Sequence, residues 1–220
     1  MSGRANSRTD QQASLPRPIF ARLYPRMSRA MNDGGMTEQR QALVTGLSGQ
    51  VIEVGAGDGT TFAHYPPEVS RVVAVEPEPR LRALAEAAAA HAPVPIEVTA
   101  GVAEHLPAVG QSVDAVVFAM VLCSIPDQAS ALGEAGRVLK PGGQVRFLEH
   151  VRADSSGLVR VQRLLDATVW PRLLGGCRTG RDTVAAIERA GFDVVEIERF
   201  LFPQALTPFS FHVRGTARRP

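Results

Sequence analysis

The stretch VIEVGAGDG, residues 51–59, constrains the fold of this chain more than any other part of the sequence. It reads as a short buried strand that runs into a turn with three glycines, and a second apolar run at residues 72–75 ends on Glu76. A strand, a glycine-rich turn and an acid at the end of the next strand are typical of open α/β sheets that bind a nucleoside. Glycine can take positive φ and lets a ligand lie against bare main chain. The stretch therefore predicts a nucleoside site where the first two strands end.

The rest of the chain alternates apolar strand-like runs with helical patterns, which indicates a parallel, doubly wound α/β sheet. Two short helices are predicted between residues 19 and 47, with a break around Asn32 to Gly35. The last two strands form a hairpin at the edge of the sheet. Strands are predicted at residues 51–54, 72–75, 96–99, 113–118, 144–148, 194–200 and 209–216, and helices begin near residues 60, 78, 128, 158 and 179.

The spacing of the glycines favours a nucleoside without a pyrophosphate. A dinucleotide site has the pattern Gly-x-Gly-x-x-Gly, whereas here Thr60 occupies the place of the third glycine. The turn carries no lysine to bind a phosphate, and Glu76 lies 21 positions after Gly55, a distance that suits an acid binding ribose hydroxyls.

Composition and charge exclude several other classes of protein. The net charge of +2 gives no electrostatic case for binding nucleic acid. Cys123 and Cys177 are too few for a disulfide framework and do not have metal-ligand spacing, so we expect no metal and a reduced, cytoplasmic protein. No signal peptide and no apolar run of roughly 20 residues is present. A soluble chain is expected, with peripheral contact to a membrane surface as an alternative.

These motifs, with Lys140-Pro141-Gly142-Gly143 between a helix and a strand, resemble the class I S-adenosylmethionine-dependent methyltransferases with a methyltransferase type 11 domain. Segments at residues 65–67, 121–124, 149–151 and 176–179, with Trp170, are similar to the thiol methyltransferase branch of the methyltransferase-like proteins. The resemblance implies a Rossmann-like sheet of seven strands in the order 3-2-1-4-5-7-6, with the last strand antiparallel and an N-terminal helical cap. It also implies S-adenosylmethionine as the cofactor.

The resemblance assigns each part of the cofactor to residues of this chain. Glu53 and the glycine turn would hold the methionine end, and Glu76 would accept hydrogen bonds from the ribose hydroxyls. Val102 stands where many relatives carry an acid, so adenine would be bound by the amide of Ala103 and by apolar contact. The predicted cofactor-binding residues are Glu53, Gly55, Ala56, Gly57, Gly59, Glu76, Pro77, Val102, Ala103, Ala119 and Met120, of which the last two would lie near the methyl group.

The methyl acceptor is the less constrained half of the site. A thiol has a pKa of about 8.5, so a modest shift or one base is enough to form thiolate. His150, at the end of the fifth strand, is a candidate base, although it could instead hydrogen-bond a loop. The predicted acceptor pocket consists of Phe20, Tyr24, Leu122, Cys123 and Trp170.

We expect a disordered tail at residues 1–17 and a single domain at residues 18–220. Within the domain, residues 18–47 are the helical cap, residues 48–151 the cofactor-binding core, and residues 152–220 the acceptor-side helices and the strand hairpin. The principal hypothesis is a methyltransferase that acts on a small lipophilic acceptor, with a thiol sulfur as the candidate. One alternative is C-, O- or N-methylation of a quinone, a natural product or a lipid head group. Another is a non-catalytic subunit that binds the cofactor and regulates a partner.

Overall fold

A computed structural model describes residues 17–168 and 170–220. Its seven strands form one sheet in the order β3-β2-β1-β4-β5-β7-β6, and β7 runs antiparallel to both β5 and β6. This confirms the predicted strand order and the antiparallel last strand. The strands are β1 Gly49–Val54, β2 Val69–Val75, β3 Ile96–Thr99, β4 Val113–Ala119, β5 Leu139–His150, β6 Asp193–Leu201 and β7 Phe211–Arg218. The tail predicted for residues 1–17 lies, except for Arg17, outside the described residues.

The helices follow the predicted pattern with two exceptions. The helix predicted to begin at residue 60 is a single 3-10 turn, Phe62–His64, because Pro66 and Pro67 leave too few residues for an α-helix. A short helix at Trp170–Leu173 was not predicted. The α-helices are α1 Pro18–Met31, α2 Thr37–Val44, α3 Pro79–Ala89, α4 Gln128–Val138, α5 Ser156–Asp166, α6 Trp170–Leu173 and α7 Thr183–Arg189.

The N-terminal helical cap is confirmed as two helices joined by a π-helical turn, Asn32–Met36. The predicted break falls in this turn, where Gly35 has a φ of 111°. Within the described residues, none of the helices combines the length and the apolarity that crossing a bilayer requires.

The central strand β4 explains why the sequence reads as a continuous apolar run. Val116 and Phe118 pack in the core on the face covered by α4 and α7. Ala115 and Val117 point to the other face, where the core includes side chains of α2 and α3. Both faces of β4 are therefore buried, as expected for a parallel sheet between two helical layers. The strand order reverses between β1 and β4, and ligands of such sheets bind at the carboxyl ends of the strands beside this point.

Candidate active site

A cleft lies at the carboxyl ends of β1, β2 and β4 and encloses about 770 Å³, part of it open to solvent. The predicted site residues divide into two groups around it. Those that line the cleft are Phe20, Tyr24, Gly55, Gly57, Glu76, Pro77, Val102, Ala103 and Met120. Those outside its lining are Glu53, Ala56, Gly59, Ala119, Leu122, Cys123, His150 and Trp170.

The glycine turn, residues 55–59, has a backbone conformation and close contacts that favour glycine over residues with a side chain. Gly55, Gly57 and Gly59 have φ values of 68°, 60° and 78°, in the left-handed region. A Cβ on Gly55 would lie 2.3 Å from Cγ2 of Val121, across the cleft wall. A Cβ on Gly59 would lie 2.8 Å from Cβ of Ala88, on α3. Gly55 therefore keeps the end of β1 open to the cleft, whereas Gly59 allows the turn to pack against α3.

Glu76 ends β2 with its carboxylate turned back towards the glycine turn. Its Oε2 accepts a hydrogen bond of 2.8 Å from the amide of Gly57, and its Oε1 accepts one of 2.9 Å from the amide of Glu78. Burial raises the pKa of Glu76 to about 7, against the opposing effect of the two amides. This acid lines the cleft and has acceptor capacity left for hydroxyl groups.

Glu53 lies behind the turn and is buried. The hydroxyl of Tyr65 donates a hydrogen bond of 2.8 Å to its Oε2. Burial raises the pKa of Glu53 to about 7, although the bond from Tyr65 and the charge of Arg40 lower it. Among the described residues, Oε1 of Glu53 has no hydrogen-bond partner.

Arg40 is a buried cation that the sequence analysis missed. Its Nη1 donates to Oγ1 of Thr61 at 3.2 Å, while its Nη2 has no partner within the described part of the chain. The only signal in the sequence is that Arg40 shares the buried side of its helix with Leu43 and Val44. Neither Glu53 nor Arg40 belongs to the lining of the cleft.

The helical cap is fastened to the glycine turn and its neighbours by side-chain hydrogen bonds. They run from Ser28 Oγ to Asp58 Oδ1 at 3.3 Å, from Asn32 Nδ2 to Thr60 Oγ1 at 2.5 Å, and from Arg40 Nη1 to Thr61 Oγ1 at 3.2 Å. The cap thus fixes one side of the candidate site as well as covering it.

Two aromatic side chains of α1 cover the cleft. The rings of Phe20 and Tyr24 lie 5.0 Å apart and line it together. Phe20 also packs against Gly175. A Cβ added to Gly175 would lie 2.9 Å from the ring of Phe20. Arg17 donates a hydrogen bond to the carbonyl of Gly175, which ties the start of α1 to the segment after α6. Burial raises the pKa of Tyr24 to about 12, so its phenol is neutral at physiological pH.

The loop after β4, residues 120–126, forms the opposite wall and is held by Glu149. This buried carboxylate accepts three backbone hydrogen bonds, from Val121 at 3.0 Å, Leu122 at 2.9 Å and Cys123 at 3.1 Å. Burial raises the pKa of Glu149 to about 7 in spite of these three donors. No role was predicted for Glu149 from the sequence. The amides of Leu122 and Cys123 therefore support the wall, and their side chains do not line the cleft.

The candidate base His150 and the candidate acceptor residue Trp170 lie away from the cleft. His150 is buried, stacks on His212 with ring centroids 5.2 Å apart, and places Nδ1 3.8 Å from Sγ of Cys177. Trp170 stacks on Phe209 with centroids 4.4 Å apart. Their roles stay predictions without support from contact with the cleft.

The strand order, the antiparallel β7 and the glycine-lined cleft define a class I methyltransferase fold. The family model described as "Methyltransferase domain" matches residues 52–147. The chain is 37% identical to Thiol S-methyltransferase TMT1A of Homo sapiens over 179 residues, 78% of this chain and 72% of that protein. It is 28% identical over 170 residues to Ubiquinone/menaquinone biosynthesis C-methyltransferase UbiE of Syntrophotalea carbinolica, 72% of this chain and 71% of that protein.

Among solved structures, an S-adenosylmethionine-dependent methyltransferase from Thermotoga maritima, described as a possible histamine N-methyltransferase, has a TM-score of 0.67. It is 21% identical in sequence, and the match covers 92% of this chain and 98% of that one. This similarity in structure concerns the fold alone. The sequence relatives show that the chain is a methyltransferase and that it belongs to the family that includes human TMT1A.

Proposed function

We propose that this chain uses S-adenosylmethionine to methylate the sulfur of a small lipophilic thiol. The observation that carries the proposal is the cleft itself. Bare glycine main chain, the Glu76 carboxylate and the apolar side chain of Met120 face one space beside the strand-order reversal. The human relative named a thiol S-methyltransferase supports the choice of sulfur. A cytoplasmic location is part of the proposal, and it is supported by both cysteines being free thiols.

The residues around the cleft fit the parts of the cofactor in order. Glu53 and Arg40 each have an unpaired buried atom among the described residues but do not line the cleft, so their side chains would turn towards it to pair with the ammonium and carboxylate of the methionine end. Glu76 would accept hydrogen bonds from the ribose hydroxyls. Pro77 and Val102 line the cleft and would pack against adenine. When bound, the cofactor supplies a methyl group already activated on a sulfonium sulfur.

The protein's part in the reaction is to place the acceptor sulfur in line with the methyl group and to keep water away. With the cofactor bound, a thiolate placed there would form a bond to the methyl carbon as the bond from that carbon to the sulfonium sulfur breaks. The products are a thioether and S-adenosylhomocysteine. Phe20 and Tyr24 cover the cleft, and Val121 and Ile125 line its opposite wall, so the acceptor side is largely apolar.

The hydrogen bonds made by two acids of the cleft and the position of His150 also fit a thiol acceptor. The carboxylate of Glu76 accepts hydrogen bonds from two backbone amides, and that of Glu78 accepts one from the amide of Leu81. Both carboxylates therefore already have hydrogen-bond donors in the structure. His150 lies beside Cys177 rather than on the cleft wall. A thiol with a pKa of about 8.5 forms enough thiolate without a base, whereas a phenol, at about 10, needs more help. The ordinary pKa values of the two kinds of acceptor therefore favour sulfur over oxygen.

The second candidate is C-methylation of a quinone, and it is favoured by the relative named a ubiquinone/menaquinone C-methyltransferase. A lipophilic quinol would suit the same apolar wall. Methylation at carbon requires removal of a ring proton, so this reaction depends on a base within reach of the acceptor.

The two candidates are separated by a panel of acceptors. The purified chain is incubated with S-adenosylmethionine and lipophilic alkyl thiols, phenols, amines or quinols, and S-adenosylhomocysteine is followed with time. We expect turnover with the thiols, and we expect Glu76→Ala to lose most of it. Turnover confined to quinols or phenols would refute the thiol assignment. Cofactor binding without turnover on any acceptor would instead indicate a non-catalytic binding subunit.

A further inference from the structure

Two cysteines and a histidine from three separate segments meet behind the cleft wall. Cys123 lies in the loop after β4, His150 ends β5, and Cys177 follows α6. Sγ of Cys177 lies 3.8 Å from Nδ1 of His150. The amide of Arg178 donates a hydrogen bond of 3.0 Å to the carbonyl of Cys123, which brings the two cysteine-bearing segments side by side. The proposed methyl transfer makes no use of this cluster.

The two thiols differ in exposure and in charge state. Cys177 is partly exposed, whereas Cys123 is only 2% exposed. The neighbouring Cys123 thiol and His150 hold the pKa of Cys177 well below its usual range. The neighbouring Cys177 thiol, together with burial, raises the pKa of Cys123 well above its usual value. A partly exposed thiolate beside a buried, protonated thiol is the arrangement of an attacking cysteine and a resolving cysteine.

We propose that Cys177 and Cys123 form a thiol–disulfide exchange site for small disulfides. The Cys177 sulfur attacks one sulfur of the small disulfide, the S–S bond breaks, and one small thiolate leaves. The Cys123 thiol then loses its proton and attacks Sγ of Cys177, which releases the second small thiol. The protein is oxidised by two electrons to a Cys123–Cys177 disulfide, and the small disulfide is reduced to two thiols.

The position of the pair connects this exchange to the cleft. Ser124, next to Cys123, lines the cleft wall, and Gly175, two residues before Cys177, lies under Phe20. A disulfide between the two cysteines would join the loop after β4, which forms one wall of the cleft, to the segment that packs against Phe20, which covers the cleft. In a reducing compartment such a bond would be transient, which is the usual behaviour of redox-sensing disulfides.

The test uses the full, reduced chain without S-adenosylmethionine, so its outcome does not depend on the proposed methyl transfer. The chain is incubated with an excess of the disulfide of mercaptoethanol, and its intact mass is followed with time. We expect the wild type to lose the mass of two hydrogen atoms, with a single cross-linked peptide joining Cys123 to Cys177 after digestion. Cys123→Ser should instead retain one mercaptoethanol adduct on Cys177.

The reciprocal variant decides which thiol attacks. Cys177→Ser should react at least ~10-fold more slowly than the wild type, because only the buried thiol is left. Equal rates for the wild type and Cys177→Ser would overturn the proposal, as would a wild type that keeps the adduct and never closes the internal bond. Far-UV circular dichroism and a thermal melt of each serine variant, compared with the wild type, establish that it is folded before its rate is interpreted.

Discussion

Substitution of Gly55 by alanine tests whether the end of β1 must be bare main chain. Gly55 has a φ of 68°, a conformation that costs an alanine about 1–2 kcal/mol. The new Cβ would also lie 2.3 Å from Cγ2 of Val121, so that side chain or its loop must shift. Together these effects should lower the free energy of unfolding by about 2–5 kcal/mol. The same methyl group narrows the cleft, so we expect weaker binding of S-adenosylhomocysteine as well.

The steric and conformational parts can be separated with a second substitution. Val121→Ala removes the atom that the new Cβ would meet. In the Val121→Ala background, Gly55→Ala should lower the free energy of unfolding only by the conformational part, about 1–2 kcal/mol. The effects of the two substitutions are therefore not additive. Gly133→Ala is the matched control, because Gly133 lies within α4 and a Cβ added there would face open space in the described part of the chain. We expect that control to gain about 0.5–1 kcal/mol.

The measurements are urea unfolding for stability and isothermal titration calorimetry for the binding of S-adenosylhomocysteine. If Gly55→Ala matches the wild type in both, the glycine turn is not a cofactor cradle and the reasoning fails. If Gly55→Ala lowers the free energy of unfolding by the same amount in the wild type and in Val121→Ala, the steric part of the argument is wrong.

The other predictions concern the buried charges. Glu149→Ala should lower the free energy of unfolding by about 3–5 kcal/mol, because three amides lose their acceptor, and urea unfolding measures this. Arg40→Met should weaken binding of S-adenosylhomocysteine at least ~10-fold by calorimetry, since one charge-assisted hydrogen bond contributes about 1.5–3 kcal/mol. Cofactor affinity should rise as pH increases through about 7, because burial raises the pKa of Glu76 to that value and ribose hydroxyls donate to its ionised form. Glu76→Gln should weaken that dependence and leave the part that comes from Glu53, whose pKa burial also raises to about 7, and an unchanged pH profile in this variant would assign the effect to Glu53 or another group.

The fold, and the position of a cleft where the first two strands end, could be predicted because their signals are local. Strands, glycine turn and acid follow one another within residues 51–76, and parallel strands bring their carboxyl ends to the same edge. The resemblance then supplied the order of the remaining strands. Gly59 shows the limit of this reasoning, because a glycine can be required for a ligand or for close packing. Nothing in the local pattern of residues indicates that Ala88 lies against it.

The acceptor half depends on where the side chains at the end of β5 point, which the sequence does not contain, and neither Glu149 nor His150 lines the cleft. Side chains alternate across a strand, so neighbours at the end of β5 point to opposite sides. Glu149 turns to the loop after β4, and His150 turns to His212 and Cys177. The donors that Glu149 binds come 26 to 28 residues earlier in the chain, and only the folded structure brings them together.

The most direct test of the central claim is a calorimetric titration of S-adenosylhomocysteine into the wild type and into Glu76→Ala. The account predicts one site on the wild type and a Kd at least ~10-fold higher in the variant, because one or more hydrogen bonds to a carboxylate, each of about 1.5–3 kcal/mol, are lost. Circular dichroism of the variant should match that of the wild type. Equal Kd values in two folded proteins, or no binding to the wild type at all, would contradict the assignment of this cleft as the cofactor site.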